Sequence, residues 1–319
     1  MGWDYDGYGR DGQSAGARMA SGAVGIVVAV GLAVLVVRPD LMPWRDAGDT
    51  TPLGAESERP SAAPSDEAFP DRATLREPFK GSPALRWADG AAGIELPAAK
   101  ATGWMSEEQV AAALGTTRDF LVAANLDPAV IRGGKPVAAL KLLDPEQPDV
   151  KAGMEKALAR PSEQDDPTLL FSRFSPAEVR PAGSVVKTRG RMTVENGKGE
   201  TDGMVLIRTD YTFVYPVVKV RPGSTEVART IVRRQITFSM PDPEKFEVTK
   251  GKLSVSEWSS NVGNDDCGRP EDGFFHPTFD EDWTGDPAAP EASGPAVDPY
   301  DRSKDLDELP QECGRSSRT

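Results

Sequence analysis

Residues 204–217, MVLIRTDYTFVYPV, predict the longest β-strand of the chain. In this strand Arg208 and Asp210 face one side, and the apolar and aromatic residues at every second position face the other. Fourteen residues exceed the usual strand length of about five or six, and sheets of such long strands twist and curl. The members of the apolar face are Val205, Ile207, Thr209, Tyr211, Phe213 and Tyr215.

Two similar runs flank this strand. VVKTRGRMTV (185–194) precedes it across a glycine-rich turn at 196–203, and EVARTIVRRQITFSM (226–240) follows it across Pro222-Gly223. A shorter fourth run, KLSVSEW, ends at Trp258. Turns of this kind between alternating runs predict an antiparallel meander of four strands. Gly190 and Pro216 are the positions where we expect bulges or bends.

Helical spacing dominates the chain before residue 165. In GWMSEEQVAAALGTTRDFLVAANL (103–126), Ser106 and Gln109 have capping-box spacing, so a helix is predicted to start at Glu107. Three short helices follow within residues 127–160, and LRWADGAAGIELP (85–97) predicts a small hairpin. The predicted fold class is α+β: short helices packed into a curved four-stranded antiparallel sheet.

The run MASGAVGIVVAVGLAVLVV (19–37) is uncharged and lies between Arg18 and Arg38. As a helix it spans roughly 28 Å, close to the hydrocarbon thickness of a bilayer. Arg38-Pro39-Asp40 offers no small-residue cleavage site, which favours an uncleaved transmembrane anchor over a signal peptide. We expect the N-terminus in the cytoplasm and the main domain outside it. Ser21, Gly25, Ala29 and Ala33 form a small-residue stripe, which raises the hypothesis of a homodimer through this helix.

The domain organisation follows from these signals and from proline content. Seven prolines between residues 38 and 82 predict a flexible linker. The predicted parts are a disordered tail at 1–18, a transmembrane helix at 19–37, the linker at 38–82, an extracytoplasmic α+β domain at 83–285, and an acidic, proline-rich C-terminal tail at 286–319.

The net charge of −13 argues against a nucleic-acid partner, because binding phosphates requires a basic surface. Residues 182–258 nevertheless carry 13 Lys and Arg against 9 Asp and Glu, so this segment has a charge of +4 and the rest −17. Three interpretations remain open for a basic sheet face: a site for anionic lipid or cell-wall polymer, a set of cross-strand partners of Asp210, Glu226 and their neighbours, or a solvated face. We favour the two structural interpretations. This face comprises Lys187, Arg189, Arg191, Arg208, Arg229 and Arg233.

No motif for catalysis, nucleotide binding or zinc is present, so we predict no catalytic residue, no cofactor and no metal. His276, the single histidine, has no neighbouring Cys or His. The weak calcium-loop spacing in DEDWTGDPAAPE places oxygen donors at loop positions 1, 3, 5 and 12, but its two prolines stiffen the loop. These donors are Asp280, Asp282, Thr284 and Glu291.

Cys267 and Cys313 are the only cysteines. An even number in a domain expected outside the cytoplasm predicts a disulfide that pins the C-terminal tail. Two free thiols in a cytoplasmic domain are the alternative.

Several strings resemble uncharacterised single-pass membrane proteins of actinobacteria, especially streptomycetes. The order of helices, then long strands, behind an anchor resembles the NTF2-like (cystatin-like cone) domains of bacterial membrane-associated accessory proteins over residues 105–258. The strings are TRDFLVAANLDPAV, LFSRF, VVKTRGRMTV, DYTFVYPV, EVARTIVRR, DCG with GFFHPTF, and DPYDRSKDLDELPQECG.

The tethered architecture and the absence of a chemical motif favour an interaction or scaffolding module of a cell-envelope assembly, with other envelope proteins as partners and the cell membrane as its location. The alternative is an extracytoplasmic sensor or carrier that holds a small molecule or lipid in the sheet concavity. A carrier needs an unfilled concavity, whereas a scaffold does not.

Overall fold

The computed structural model describes residues 71–266, 268–269, 272–282, 296–309 and 316–319, all of which belong to one compact unit, Pro52–Thr319. The sheet is open, antiparallel and six-stranded, in the order β1-β3-β4-β5-β6, with β2 paired to β4. The strands are β1 Ala88–Asp89, β2 Val179–Pro181, β3 Lys187–Asn196, β4 Met204–Lys219, β5 Ala228–Pro241 and β6 Ser254–Gly263.

The sheet therefore has two strands more than the four predicted, namely β1 and β2. The length of β4 explains β2: β3 pairs with β4 only as far as Val214, so the end of β4 is left with free backbone groups. Strand β2 pairs with that end, Val179 opposite Lys219. Strands of two and three residues carry too little alternation to be recognised from sequence.

The predicted hairpin at residues 85–97 is absent. Pro83–Arg86 and Gly90–Gly93 form 3-10 helices, and β1 between them pairs with β3. A Cβ on Gly93 would lie 2.2 Å from the Thr188 carbonyl oxygen, so this segment lies directly against β3 instead of folding back on itself.

The expected bulges at Gly190 and Pro216 are also absent, because the register continues through both residues. The one shift lies between Thr237 and Phe238, where β5 pairs with β6. Glycine at position 190 allows the backbone of β3 to lie close to the Tyr211 ring, because a Cβ there would be 2.2 Å from that ring.

The prediction of a helix beginning at Glu107 is confirmed. The Ser106 N–H donates to Gln109 Oε1 at 2.7 Å, and the Gln109 N–H donates to Ser106 Oγ at 3.3 Å. These two bonds satisfy donors that the helix itself leaves free. The helices are α1 Glu107–Asn125, α2 Pro128–Ile131, α3 Val137–Leu142 and α4 Pro148–Ala159.

Helix α1 covers what we call the inner face of the sheet. Phe120 of α1 packs edge-on against Phe238 of β5, with ring centroids 5.3 Å apart. Residues 169–174 lie under the same face through Phe174, whose ring centroid is 5.5 Å from that of Tyr215. The apolar side chains that alternate along β4 and β5 are buried on this face.

The opposite, outer face is covered as well. Phe79 and Trp87 from before β3 and Tyr300 from near the C-terminus pack on Val214 and Ile231. The Trp87 and Tyr300 rings meet edge-on at 5.8 Å. The central strands are thus buried on both faces.

No helix in the described ranges is long and apolar enough to span a bilayer. The proposed anchor at residues 19–37 lies outside those ranges.

Candidate functional site

The strand register places the six predicted basic side chains on the outer face. Lys187 is opposite Val214, Arg229 is opposite Pro216, and Arg208 is opposite Thr237. Arg189, Arg191 and Arg233 lie on the same face, beside Thr212 and Asp210. These side chains are not equally accessible: Arg191 is exposed, whereas Arg229 and Arg233 are buried.

The nearest partners of this set belong to the protein itself. Arg208 Nε contacts Glu195 Oε1 at 2.5 Å, and Lys187 Nζ contacts Asp89 Oδ1 at 2.6 Å. Arg229 donates to the carbonyl oxygens of Lys80, at 2.7 Å, and of Thr319. The outer-face arginine at 229 therefore joins the two ends of the described chain.

Asp210 forms the centre of the outer face. Its carboxylate receives two bonds from Arg233, at 3.0 and 2.9 Å, and lies 2.9 Å from Arg302 Nη2. Burial acts to raise the pKa of Asp210, but the charges and hydrogen bonds of Arg302 and Arg233 outweigh it and hold that pKa at about 2. Arg302 thereby ties the C-terminal segment to β4.

Glu226, the other predicted acidic partner, lies elsewhere. Its carboxylate lies 3.6 Å from Arg72 and accepts the Asp280 N–H at 2.6 Å. It therefore joins the start of the described chain to the loop after β6 and does not pair with the strand arginines.

Arg234 is a charged residue on the inward, otherwise mainly apolar side of β5, and it is 1% exposed. Its Nε donates to Asn125 Oδ1 at 3.0 Å, and its terminal nitrogens donate to the Leu169 carbonyl oxygen and to the hydroxyls of Ser172 and Ser260. Within the described residues these acceptors are neutral. Burial lowers the pKa of Arg234 to about 10, which is still far above neutrality, so the core contains a cation.

His276 lies between two carboxylates from different parts of the chain. Its Nδ1 is 3.0 Å from Glu178 Oε2, and its Nε2 is 2.9 Å from Asp272 Oδ1. Burial acts to lower the pKa of His276, but the hydrogen bonds to Glu178 and Asp272 prevail and raise it above its ordinary value. Burial also raises the pKa of Asp265, which accepts the His276 backbone N–H, to about 6. This arrangement favours an imidazolium that connects the loop after β6 to the residue before β2.

The carboxylates of the calcium-loop spacing that the structure describes are engaged by cations. Asp280 accepts a bond from Arg72 at 3.0 Å, and Asp282 contacts Lys219 and accepts the Phe279 N–H. Thr284 and Glu291 lie outside the described residues. The described part of the chain contains no group of three or more His, Cys, Asp or Glu suited to a metal.

Other predicted site residues also fall outside the described ranges. They are Ser21, Gly25, Ala29 and Ala33 of the anchor, and Cys267 and Cys313.

Sequence reasoning missed the inner network of Arg234 and the His276 cluster. A signal for Arg234 existed, since it broke the alternation of β5. None existed for the contact between His276 and Glu178, which are 98 residues apart. Comparison with protein-family models, with curated proteins and with solved structures found no match to this chain.

Proposed function

We propose that this chain is an extracytoplasmic interaction or scaffolding module of a cell-envelope assembly. One observation carries the proposal: the inner face of the sheet is packed with the protein's own side chains. Phe120 and Phe174 lie against it and are at most 2% exposed, and the aromatic side chains that project from it, Tyr211, Phe213 and Tyr215, are equally buried. A protein whose sheet is filled in this way meets other molecules through its surface.

The same packing bears on the alternative of a sensor or carrier. A carrier of lipid or small molecule in an NTF2-like cone needs space between helix and sheet. Here the Phe120 and Phe238 rings are 5.3 Å apart, the distance of direct edge-to-face contact. The polar groups of that face are also engaged, since Tyr215 donates its hydroxyl to the Asn125 carbonyl oxygen at 2.9 Å.

The location proposed for this module rests on residues 1–82. Residues 19–37 anchor the chain in the cell membrane with the N-terminus in the cytoplasm, and residues 38–70 tether the domain outside, because Phe79 of the predicted linker already packs on Val214 and Ile231. A coil of some 33 residues has an r.m.s. reach of roughly 32 Å, enough to clear the lipid headgroups. The NTF2-like, streptomycete-type relationship belongs to this proposal, and its NTF2-like part rests on the order of helices before long strands.

The test is affinity purification of the full-length chain from its native membranes after mild crosslinking. We expect a reproducible set of envelope proteins at near-stoichiometric amounts. The matched control carries residues 1–70 on an unrelated folded domain, so partners that need only the anchor and tether are subtracted.

Native mass spectrometry of the same preparation addresses the carrier alternative. A lipid or small molecule bound in stoichiometric amount, with no protein enriched over the control, would refute the scaffolding proposal.

A further inference from the structure

A cleft of about 240 Å³ lies at one end of the sheet, where β4 begins, β5 ends and β6 begins. Its apolar wall comprises Met204, Pro241, Phe246 and Val248. Phe246 is 37% exposed, whereas the other aromatic side chains that the structure describes are buried or half-buried. The cleft therefore presents apolar surface to any partner that enters it.

The charged residues that line the cleft have one sign. They are Asp144 and Glu146, from the connection between α3 and α4, and Glu247, from the connection between β5 and β6. Glu146 and Glu247 are exposed, so their carboxylates border the opening. Two chain segments that are distant in sequence thus bring negative charge to the same place.

Two serine hydroxyls supply an independent sign of a ligand. Ser239 and Ser254 also line the cleft, and they are paired across β5 and β6, so both hydroxyls project from the same face of the sheet. They are 5% and 7% exposed, yet their hydroxyl oxygens are not among the fully buried atoms that lack a partner. The hydroxyls therefore open onto the cleft and are available to a donor that enters it.

The walls are held in place before any ligand arrives. The Asp144 carboxylate accepts the Thr249 N–H at 3.1 and 3.3 Å, which joins the two connections. Gln147 accepts the Val255 N–H and donates to the Val255 carbonyl oxygen, both at 2.8 Å, which fixes the first connection to β6. A site built this way loses little conformational entropy on binding.

The size and chemistry of the cleft limit its ligand. Small-molecule pockets usually measure roughly 300–1,000 Å³, so about 240 Å³ suits a single side chain better than a metabolite. The carboxylates and the Phe246 ring attract a cation, and the apolar wall fits an aliphatic stem. Lysine and arginine combine a cation with such a stem.

We propose that this cleft binds a lysine or arginine side chain presented by a protein partner. This assignment rests on the proposed scaffolding function and names the chemistry of one contact in it.

The test uses the full-length chain in detergent, labelled with ¹³C at the methionine methyl groups. Met204 lines the cleft, and its NMR signal is assigned by comparison with Met204→Leu. The probes are N-acetyl-arginine amide, N-acetyl-lysine amide and N-acetyl-citrulline amide, the last an uncharged analogue of the first. We expect a saturable shift of the Met204 signal with both cationic probes, and at least tenfold weaker binding of the citrulline probe.

Variants of the acidic rim identify the cause of binding. Glu146→Gln with Glu247→Gln should weaken the arginine probe at least tenfold, because both carboxylates become neutral at constant size. Glu244→Gln is the matched control, since Glu244 is an exposed neighbour that does not line the cleft, and it should change binding less than twofold. Ser239→Ala with Ser254→Ala should weaken the probe several-fold.

Equal binding of the arginine and citrulline probes, no saturable shift, or an unchanged affinity in the double Gln variant would overturn the assignment. If membrane purification yields a protein complex while the probes fail to bind, the cleft assignment fails and the proposed function stands. If the probes bind but only a small molecule co-purifies, the protein partner is overturned together with the proposed function.

Discussion

Arg234 places a full positive charge in the core with neutral acceptors around it. Replacing it with Met, which is of similar length, removes the donor to the half-buried Leu169 carbonyl oxygen and the partners of the Ser172 and Ser260 hydroxyls, whereas Asn125 Oδ1 keeps its bond from Ser172. An unsatisfied buried polar group costs about 1–3 kcal/mol, and the loss of the buried charge offsets part of this. We expect Arg234→Met to lower the free energy of unfolding by about 3 kcal/mol, measured by urea denaturation.

Arg132→Met is the control, because Arg132 is exposed and should tolerate the change within about 0.5 kcal/mol. A stable Arg234→Met protein would mean that the network adds nothing to the fold and that its arginine is retained for another purpose.

Asp210 is the counter-charge for Arg233 and Arg302, which are 3% and 8% exposed. Asp210→Asn leaves both arginines without their negative partner, and breaking such a buried ion pair costs roughly 3–5 kcal/mol of folding free energy. We expect a loss of stability of that order in urea denaturation at neutral pH, with Asp202→Asn, on an exposed turn, as the unaffected control. A loss below about 1 kcal/mol would contradict this role.

The sign of the acid dependence follows from the lowered pKa of Asp210. Its contribution to stability is present above the ordinary pKa of 3.8 and is lost as the pH falls through about 2. The Asn variant should lack this part of the acid transition.

At the scale of one element, the loop after β6 is held through His276. The hydrogen bonds to Glu178 and Asp272 raise the pKa of His276 in the folded state, so its contribution is full below the ordinary value of 6.5. That contribution is lost as the pH rises through the raised pKa. We expect stability to fall as the pH rises above 6.5 and through the raised pKa of His276, and this fall should disappear in His276→Gln.

The pKa itself is directly measurable, because the chain has one histidine and hence one set of imidazole NMR signals. We expect a midpoint above 6.5 in the full-length protein and a lower one in Glu178→Gln. A midpoint at or below 6.5 would show that burial outweighs the two carboxylates.

The C-terminal segment acts as a cover on the sheet through one aromatic side chain. Tyr300 is 1% exposed and packs on Trp87 and the outer-face cluster. Truncating a buried aromatic side chain to Ala typically costs about 3–5 kcal/mol, and we expect a loss in that range from Tyr300→Ala. Leu85→Ala, at a position 55% exposed, should change stability little in the same thermal or urea assay. Equal losses in the two variants would show that the segment does not support the sheet.

For the whole molecule, the predicted disulfide between Cys267 and Cys313 stays a prediction. The described residues beside them approach each other: the Asn264 N–H donates to Ser316 Oγ at 3.2 Å, three positions from each cysteine. A bond would close a loop of about 45 residues, worth about 4 kcal/mol in the chain-entropy model. We expect neither cysteine to be alkylated in protein from native membranes until reductant is added, as measured by mass spectrometry. Full labelling without reductant would refute the bond and weaken the case for a domain outside the cytoplasm.

The sequence by itself determined the parts of the fold that depend on neighbours along the chain. The capping residues Ser106 and Gln109 located the start of α1, and the period-two alternation of residues 204–217 identified β4 and its buried face. Such signals are local, since a cap forms within one turn and a strand face is defined by every second residue.

Only the tertiary structure decided which surfaces are covered and which charges meet. Strands β1 and β2 exist because longer strands offer them free edges. Arg229 and Arg233 are buried because residues 77–87 and 298–306, distant in sequence, pack on the same face. The contacts of Asp210 with Arg302 and of Glu178 with His276 join residues 92 and 98 positions apart. Periodicity along the chain relates residues only a few positions apart. It therefore cannot predict contacts between residues that are distant in sequence and that meet only when the chain folds.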